Sequence, residues 1–181
     1  MTAPEYSTPP TAAPVTTSGE PALNKPYYGI GFGGAVVRYF KKYATFSGRA
    51  SRSEYWWAYL FCVLVNSALN MLGQVLSVAM VVGVVSVVWT LGTIIPSLSV
   101  AVRRLHDRNL SGWFVLLPSV FGYVGQALSL NALSRYGASS LGDDAAFGLV
   151  VGGIVLILVG FVLALALYAG ASKPEGARFD K

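Results

Sequence analysis

Residues 103–113 read RRLHDRNLSGW, and five ionisable side chains fall in the first six positions: Arg103, Arg104, His106, Asp107 and Arg108. An uncharged run of 48 residues, Tyr55 to Val102, precedes this knot, and one of 26 residues, Asn109 to Ser134, follows it. A third uncharged run extends from Ala145 to Ser172. A helix crosses a bilayer with about 20 apolar residues. Each run is therefore long enough to span, and the knot marks where the chain leaves the hydrocarbon and turns back.

Composition points the same way. Hydrophobic residues make up 54% and charged residues 12% of the 181 positions, with a mean hydropathy of +0.58, far from soluble averages. As one helix, the run from Tyr55 to Val102 would be about 72 Å long at 1.5 Å per residue, more than twice a hydrocarbon core of about 30 Å. It must fold into two crossings, and its least apolar break lies near Gly73 to Ser77. The expected fold class is an all-α integral membrane protein. Its four transmembrane helices, roughly 55–74, 78–102, 112–133 and 146–169, form an antiparallel bundle within a membrane domain of residues 51–172.

Lys and Arg concentrate in cytoplasmic segments near the membrane. Of 13 basic residues, 12 lie before Tyr55, in the 103–108 turn or in the 173–181 tail, and only Arg135 lies in the remaining connections. That asymmetry predicts a multi-pass protein with both termini in the cytoplasm and a cytoplasmic tail at 173–181. No cleaved signal peptide is expected, because the first apolar run begins only at Tyr55.

The rest of the N-terminal part is of two kinds. Residues 1–32 are expected to be a disordered tail and a glycine-rich joint: six of the nine prolines lie in the first 26 positions, a composition too polar to offset ordering entropy. The sequence YYGIGFGG, residues 27–34, lacks the spacing and the strand–helix context of a dinucleotide fingerprint. Residues 33–50 are expected to be an amphipathic interfacial segment. In GAVVRYFKKYA, residues 34–44, Val36, Val37, Phe40 and Tyr43 stand opposite Arg38, Lys41 and Lys42. Such a helix either lies in the interface with its basic side toward the headgroups or packs on the rest of the protein. In FSGRASRSEYWW, residues 46–57, Ser51 and Glu54 fit a capping box. The first span should then start at Arg52, with Tyr55, Trp56, Trp57 and Tyr59 at aromatic-belt depth.

Three stretches together resemble a known family: FSGRASRSEYWW, IPSLSVAVRRLHDRNLSGWF (residues 95–114) and PEGARFD (residues 174–180). The chain is similar, over roughly residues 35–180, to the small bacterial inner-membrane proteins of domain of unknown function 805. The resemblance implies a helical integral membrane protein and supplies no reaction, substrate or cofactor. Arg108 and Asn109 depart from the commoner form of the motif, where a small or neutral residue is frequent.

With the first span starting and the second ending on one side, Arg49, Arg52 and Glu54 share a level with Arg103, Arg104, His106, Asp107 and Arg108. Such a belt either snorkels, caps helices and sets topology, with Arg103 and Asp107 placed to pair at i, i+4, or gathers guanidinium forks and His106 around a phosphate. The leading expectation is a non-enzymatic protein whose belt engages anionic membrane lipid or a membrane protein partner; self-association is a further option. Nucleic acid is not expected, since no basic soluble module is visible.

The alternative is a small-solute channel or transporter. Asn66, Asn70 and Gln74 recur on one face of the first span, and Ser86, Thr90, Thr93 and Ser97 on the second. These polar stripes suit hydrogen bonding between helices or a polar pathway. Pro96 and Pro118 each free one helical carbonyl, that of Gly92 or Phe114; the two are either tolerated kinks or bends at one depth that open a cavity behind the belt. Gly148 and Gly152 form a GxxxG pair suited to close helix contact, within the bundle or between copies. No cofactor or metal is expected, since the chain has one His and one Cys, Cys62. A catalytic role for His106 beside Asp107 lacks an identifiable nucleophile and oxyanion hole.

Overall fold

A computed structural model of the chain describes residues 20–75, 79–137 and 143–180. Five α-helices follow one another, α1 (Phe32–Lys41), α2 (Arg52–Val75), α3 (Ala79–Asp107), α4 (Leu116–Gly137) and α5 (Asp143–Tyr168), with 3-10 turns at Gly112–Val115 and Pro174–Phe179. Helices α2 to α5 are each long and apolar enough to cross a membrane. Their outer faces are apolar and bare, with Met80 85% and Phe147 70% exposed. Water would not tolerate so much contiguous apolar surface, whereas lipid solvates it.

Each helix end has a local cause. At the start of α2 the Ser51 hydroxyl accepts the Glu54 N–H at 3.2 Å, and the Glu54 carboxylate accepts the Ser51 N–H at 2.9 Å. This reciprocal capping box starts the helix at Arg52, as the sequence predicts. Helix α3 ends in a Schellman motif. The Leu110 N–H reaches the Leu105 carbonyl and the Asn109 N–H the His106 carbonyl, both at 2.9 Å. Asn109 takes the left-handed conformation, φ 60°, that the motif requires at that position.

Pro96 lies inside α3, whereas Pro118 lies in the first turn of α4 behind the 3-10 turn. A first-turn proline forfeits little, because its N–H would lie among the helix's orphan donors. The second expected bend is thus replaced by a helix start. The 76–78 connection, where the break between the first two spans was expected, and 138–142 lie outside the described residues.

Helix α2 packs on α3, and α4 packs on α5. The second pair approaches closely at glycines. A methyl group on Gly125 would lie 2.5 Å from the Gly153 carbonyl oxygen, and one on Gly160 would lie 2.9 Å from that of Pro118. The expected GxxxG residues do not make this contact: Gly148 and Gly152 have open space where a Cβ would stand. The buried core lies at the charged end, where Tyr39, Tyr55, Ala101, Leu105 and Tyr168 cluster.

Helix α1 forms within the expected segment and packs on α2 and α3, but with two of the three basic residues turned inward. Arg38 and Lys42 are buried, whereas Lys41, Val37 and Phe40 are exposed. The orientation anticipated from an interfacial helix is reversed with respect to the protein, because the surroundings of this chain are apolar and its interior at this level is charged. The expectation of disorder before Phe32 also needs correction for residues 20–31. Arg38 donates to the carbonyls of Pro21 and Lys25 at 3.0 Å, and the Arg49 N–H to that of Asn24 at 3.1 Å. Residues 1–19, the remainder of the expected tail, lie outside the described residues.

Candidate functional site: a charged belt at one end of the spans

The belt is organised around two buried carboxylates. Glu54, placed by the capping box at the positive end of the α2 dipole, accepts the Tyr27 N–H at 3.0 Å and Arg38 Nε at 2.9 Å, with Lys42 Nζ at 3.7 Å. Arg103 is buried beside this group, and its Nε and Lys42 Nζ have no hydrogen-bond partner. Burial pulls the Lys42 ammonium down to a pKa of about 8; Glu54 opposes the shift, and the positive charges of Arg103 and Arg38 add to it.

Asp107, at the last turn of α3, is the second centre. It accepts the Tyr28 hydroxyl at 3.1 Å, Arg104 Nη1 at 2.5 Å and the Ser172 hydroxyl, with Arg49 Nη1 at 4.0 Å. The anticipated pair of Arg103 with Asp107 is not the one formed. Arg104, one residue later, takes the carboxylate, which leaves Arg103 on the Glu54 side.

Three arginines of the belt serve the end of α5, whose last carbonyls have no partner within the helix. Arg104 Nε reaches the Tyr168 carbonyl at 2.9 Å, Arg108 Nη1 reaches those of Leu167 at 2.7 Å and of Ala166, and Arg52 Nε reaches that of Gly170 at 2.9 Å. Cations at a helix C-terminus also favour its dipole. The C-terminal turn is clamped in the same way. Arg49 grips Asp180 with two parallel bonds of 2.8 and 2.6 Å, and His106 stacks on Phe179 at 4.0 Å with its Nδ1 3.2 Å from the Gly48 carbonyl.

All eight belt residues named from the sequence thus gather at one end of the spans. Arg38, Lys42, Tyr28, Ser172 and Asp180 join them and were missed. The available signals were the i, i+4 pair of basic residues in α1 and the acidic end of PEGARFD.

The polar residues of the spans are differently placed. Asn66 and Asn70 donate to the carbonyls four residues earlier, Cys62 and Asn66, at 2.7 and 2.8 Å, and Thr90 donates to Ser86 at 2.8 Å. These bonds stay within each helix rather than joining α2 to α3, and Asn66, Asn70, Gln74 and Thr90 are exposed. Thr93 also bonds within α3, to the Trp89 carbonyl at 2.8 Å. Tyr39 of α1 meets the same stripe, through the Thr93 carbonyl at 3.2 Å and the Ser97 hydroxyl at 2.8 Å. A cavity of ≈ 80 Å³ is lined by Tyr39, Tyr55, Tyr59, Cys62 and Ser97 among others.

The model of a protein family of unknown function, DUF805, matches residues 43–181. The chain is 34% identical over 110 residues to the inner membrane protein YhaI of Escherichia coli K12, a stretch covering 60% of this chain and 92% of that protein. It is 31% identical over 83 residues to the inner membrane protein YhaH of the same strain, covering 45% of this chain and 69% of that protein. No solved structure matches. With four membrane-length helices, these relatives make it a multi-pass inner-membrane protein.

Proposed function

We propose that this chain, which belongs to the DUF805 family of unknown function, is a non-enzymatic membrane protein whose charged belt lies on the cytoplasmic side and engages anionic phospholipid. In this reading the four spans run up and down as an antiparallel bundle with both termini inside, which puts 12 of 13 basic residues on one face.

The single observation that carries the reading is the charge imbalance at that end. Seven cations, Arg38, Lys42, Arg49, Arg52, Arg103, Arg104 and Arg108, gather there with the carboxylates of Glu20, Glu54, Asp107 and Asp180. A positive excess beside a leaflet attracts anionic headgroups by about 1 kcal/mol per basic residue. The outward Val37 and Phe40 of α1 give such a lipid an apolar surface beside the charges.

The test is lipid selection. Protein reconstituted in nanodiscs of phosphatidylcholine with a minor fraction of phosphatidylglycerol should, on extraction and native mass spectrometry, carry phosphatidylglycerol in excess of its share. The enrichment should fall as salt rises through the range that screens surface charge. Retained lipid that mirrors the bulk mixture at every salt concentration would refute the proposal.

A further inference from the structure

The charges around Glu54 do not balance. Arg38, Lys42 and Arg103 are all within 2% exposure; Arg38 and Lys42 pair with the buried Glu54, Arg103 feels its charge without an ion pair to it, and Glu20, at 38% exposure, pairs with Arg38. Elsewhere in the belt Arg49 and Arg104 are engaged by carboxylates, and Arg108 bonds helix-end carbonyls through Nη1 while its Nε, like Arg103 Nε, has no partner. At this spot Lys42 Nζ and Arg103 Nε have no hydrogen-bond partner. A buried donor without an acceptor is costly, and a buried cation without an anion more so. The two donors come from different elements, the end of α1 and the last turns of α3, and both lie within electrostatic reach of Glu54, with Arg103 in reach of Lys42.

We infer that the cluster of Arg38, Lys42 and Arg103 is a subsite for a phosphate group, carried by a phospholipid headgroup or free in solution, whose oxygens accept from Lys42 Nζ and Arg103 Nε. It rests on the reading that the belt engages anionic lipid and states where and by which chemistry. A phosphate oxyanion supplies both acceptors at once and cancels the surplus charge, and Arg and Lys are the side chains suited to it. Helix α1 ends at this point, Lys42 being its C-terminal cap. Beyond it the exposed residues Thr45 to Ser47 are tethered to α3 by the Ser99 hydroxyl on the Lys42 and Thr45 carbonyls, at 3.0 and 2.6 Å. Access then needs a shift of this short loop and two side chains, with the spans in place.

The experiment uses the full chain in zwitterionic detergent and compares its thermal midpoint in sodium phosphate and in sodium chloride of equal ionic strength. In parallel, phosphatidylglycerol is counted on protein taken from mixed nanodiscs. Lys42→Gln and Arg103→Gln probe the subsite, and Arg52→Gln probes the belt outside it. A free-phosphate site predicts a rise of about 4 °C in phosphate for wild type and Arg52→Gln, absent from Lys42→Gln. A headgroup site predicts about tenfold lower phosphatidylglycerol retention for Lys42→Gln and a small change for Arg52→Gln. Lys42→Gln also removes a buried charge whose desolvation outweighs its 3.7 Å pairing with Glu54, so in chloride it should melt no lower than wild type; a lower midpoint would overturn the proposal. Equal losses in Lys42→Gln and Arg52→Gln would overturn it too, while leaving general lipid engagement intact. Wild-type protein indifferent to both phosphate and phosphatidylglycerol would remove both readings.

Discussion

Tyr43 donates its hydroxyl to the carbonyl of Gly92 at 2.7 Å, the carbonyl that Pro96 leaves without a helical donor. The residue that breaks the α3 ladder and the residue that repairs it lie 53 positions apart in the sequence, Tyr43 in the turn that follows α1. The bend is therefore a docking point for α1, reinforced by Tyr39 on the next carbonyl, that of Thr93. Tyr43→Phe should lower stability by about 1 kcal/mol. With Pro96→Ala in place the same change should cost less, because the ladder then satisfies Gly92. A double-mutant cycle on thermal midpoints measures this, and equal costs in the two backgrounds would show that the hydroxyl does not answer the proline.

Gly48 sits at φ 79°, and a methyl group there would stand 2.5 Å from the Asn24 carbonyl oxygen. Its N–H and carbonyl also tie the Phe179 carbonyl and His106 together. Gly48→Ala should destabilise by about 1–3 kcal/mol, and limited proteolysis should cut first in the residues before Phe32 and after Lys173. A variant with wild-type melting would contradict the described turn.

Asn109 occupies the left-handed position that ends α3. Asn109→Gly should be neutral or stabilising, since glycine takes that conformation without strain. Asn109→Val should cost about 1–2 kcal/mol. If both substitutions melt alike, the Schellman turn does not set the end of the helix.

Much of this architecture is legible in the chain itself. Uncharged runs carry their own argument, since hydrocarbon admits no unpaired charge, and Ser51 with Glu54 writes the start of α2 in four residues. The face of α1 that meets the protein is not legible. Periodicity separates Val37 and Phe40 from Arg38 and Lys42, but which side turns inward depends on whether the surroundings are water or lipid. Nor does spacing reveal that Arg49 reaches Asp180, 131 residues away, or that Gly153 and Gly160 rather than Gly148 and Gly152 meet α4. Such choices are made by tertiary packing.

Lys42 gives the belt a pH dependence of known sign. Its folded pKa of about 8 lies below the ordinary 10.5, so folding expels a proton. The penalty for burying its ammonium is complete below pH 8 and fades as pH rises from 8 toward 10.5. Wild-type stability in phosphate-free buffer should therefore climb between about pH 7 and about pH 10 relative to Lys42→Gln. Parallel profiles for the two proteins would mean that Lys42 keeps its proton.

The transport alternative has its own test in Asn66→Leu combined with Thr90→Val. If the exposed polar residues line no route, the double variant should fold, and vesicles containing wild type or variant should show solute flux equal to empty controls. Solute flux through wild type that the double variant abolishes would favour transport.

Everything proposed for the belt turns on which face of the membrane carries it, and reporter fusions read that face directly. Paired cytoplasmic and periplasmic reporters placed after Lys181, in the 103–108 turn and in the 138–142 connection should report the first two sites as cytoplasmic and the third as periplasmic. A periplasmic C-terminus, or a 103–108 turn on the same side as 138–142, would contradict the four-crossing topology and remove the belt from the leaflet it is proposed to engage.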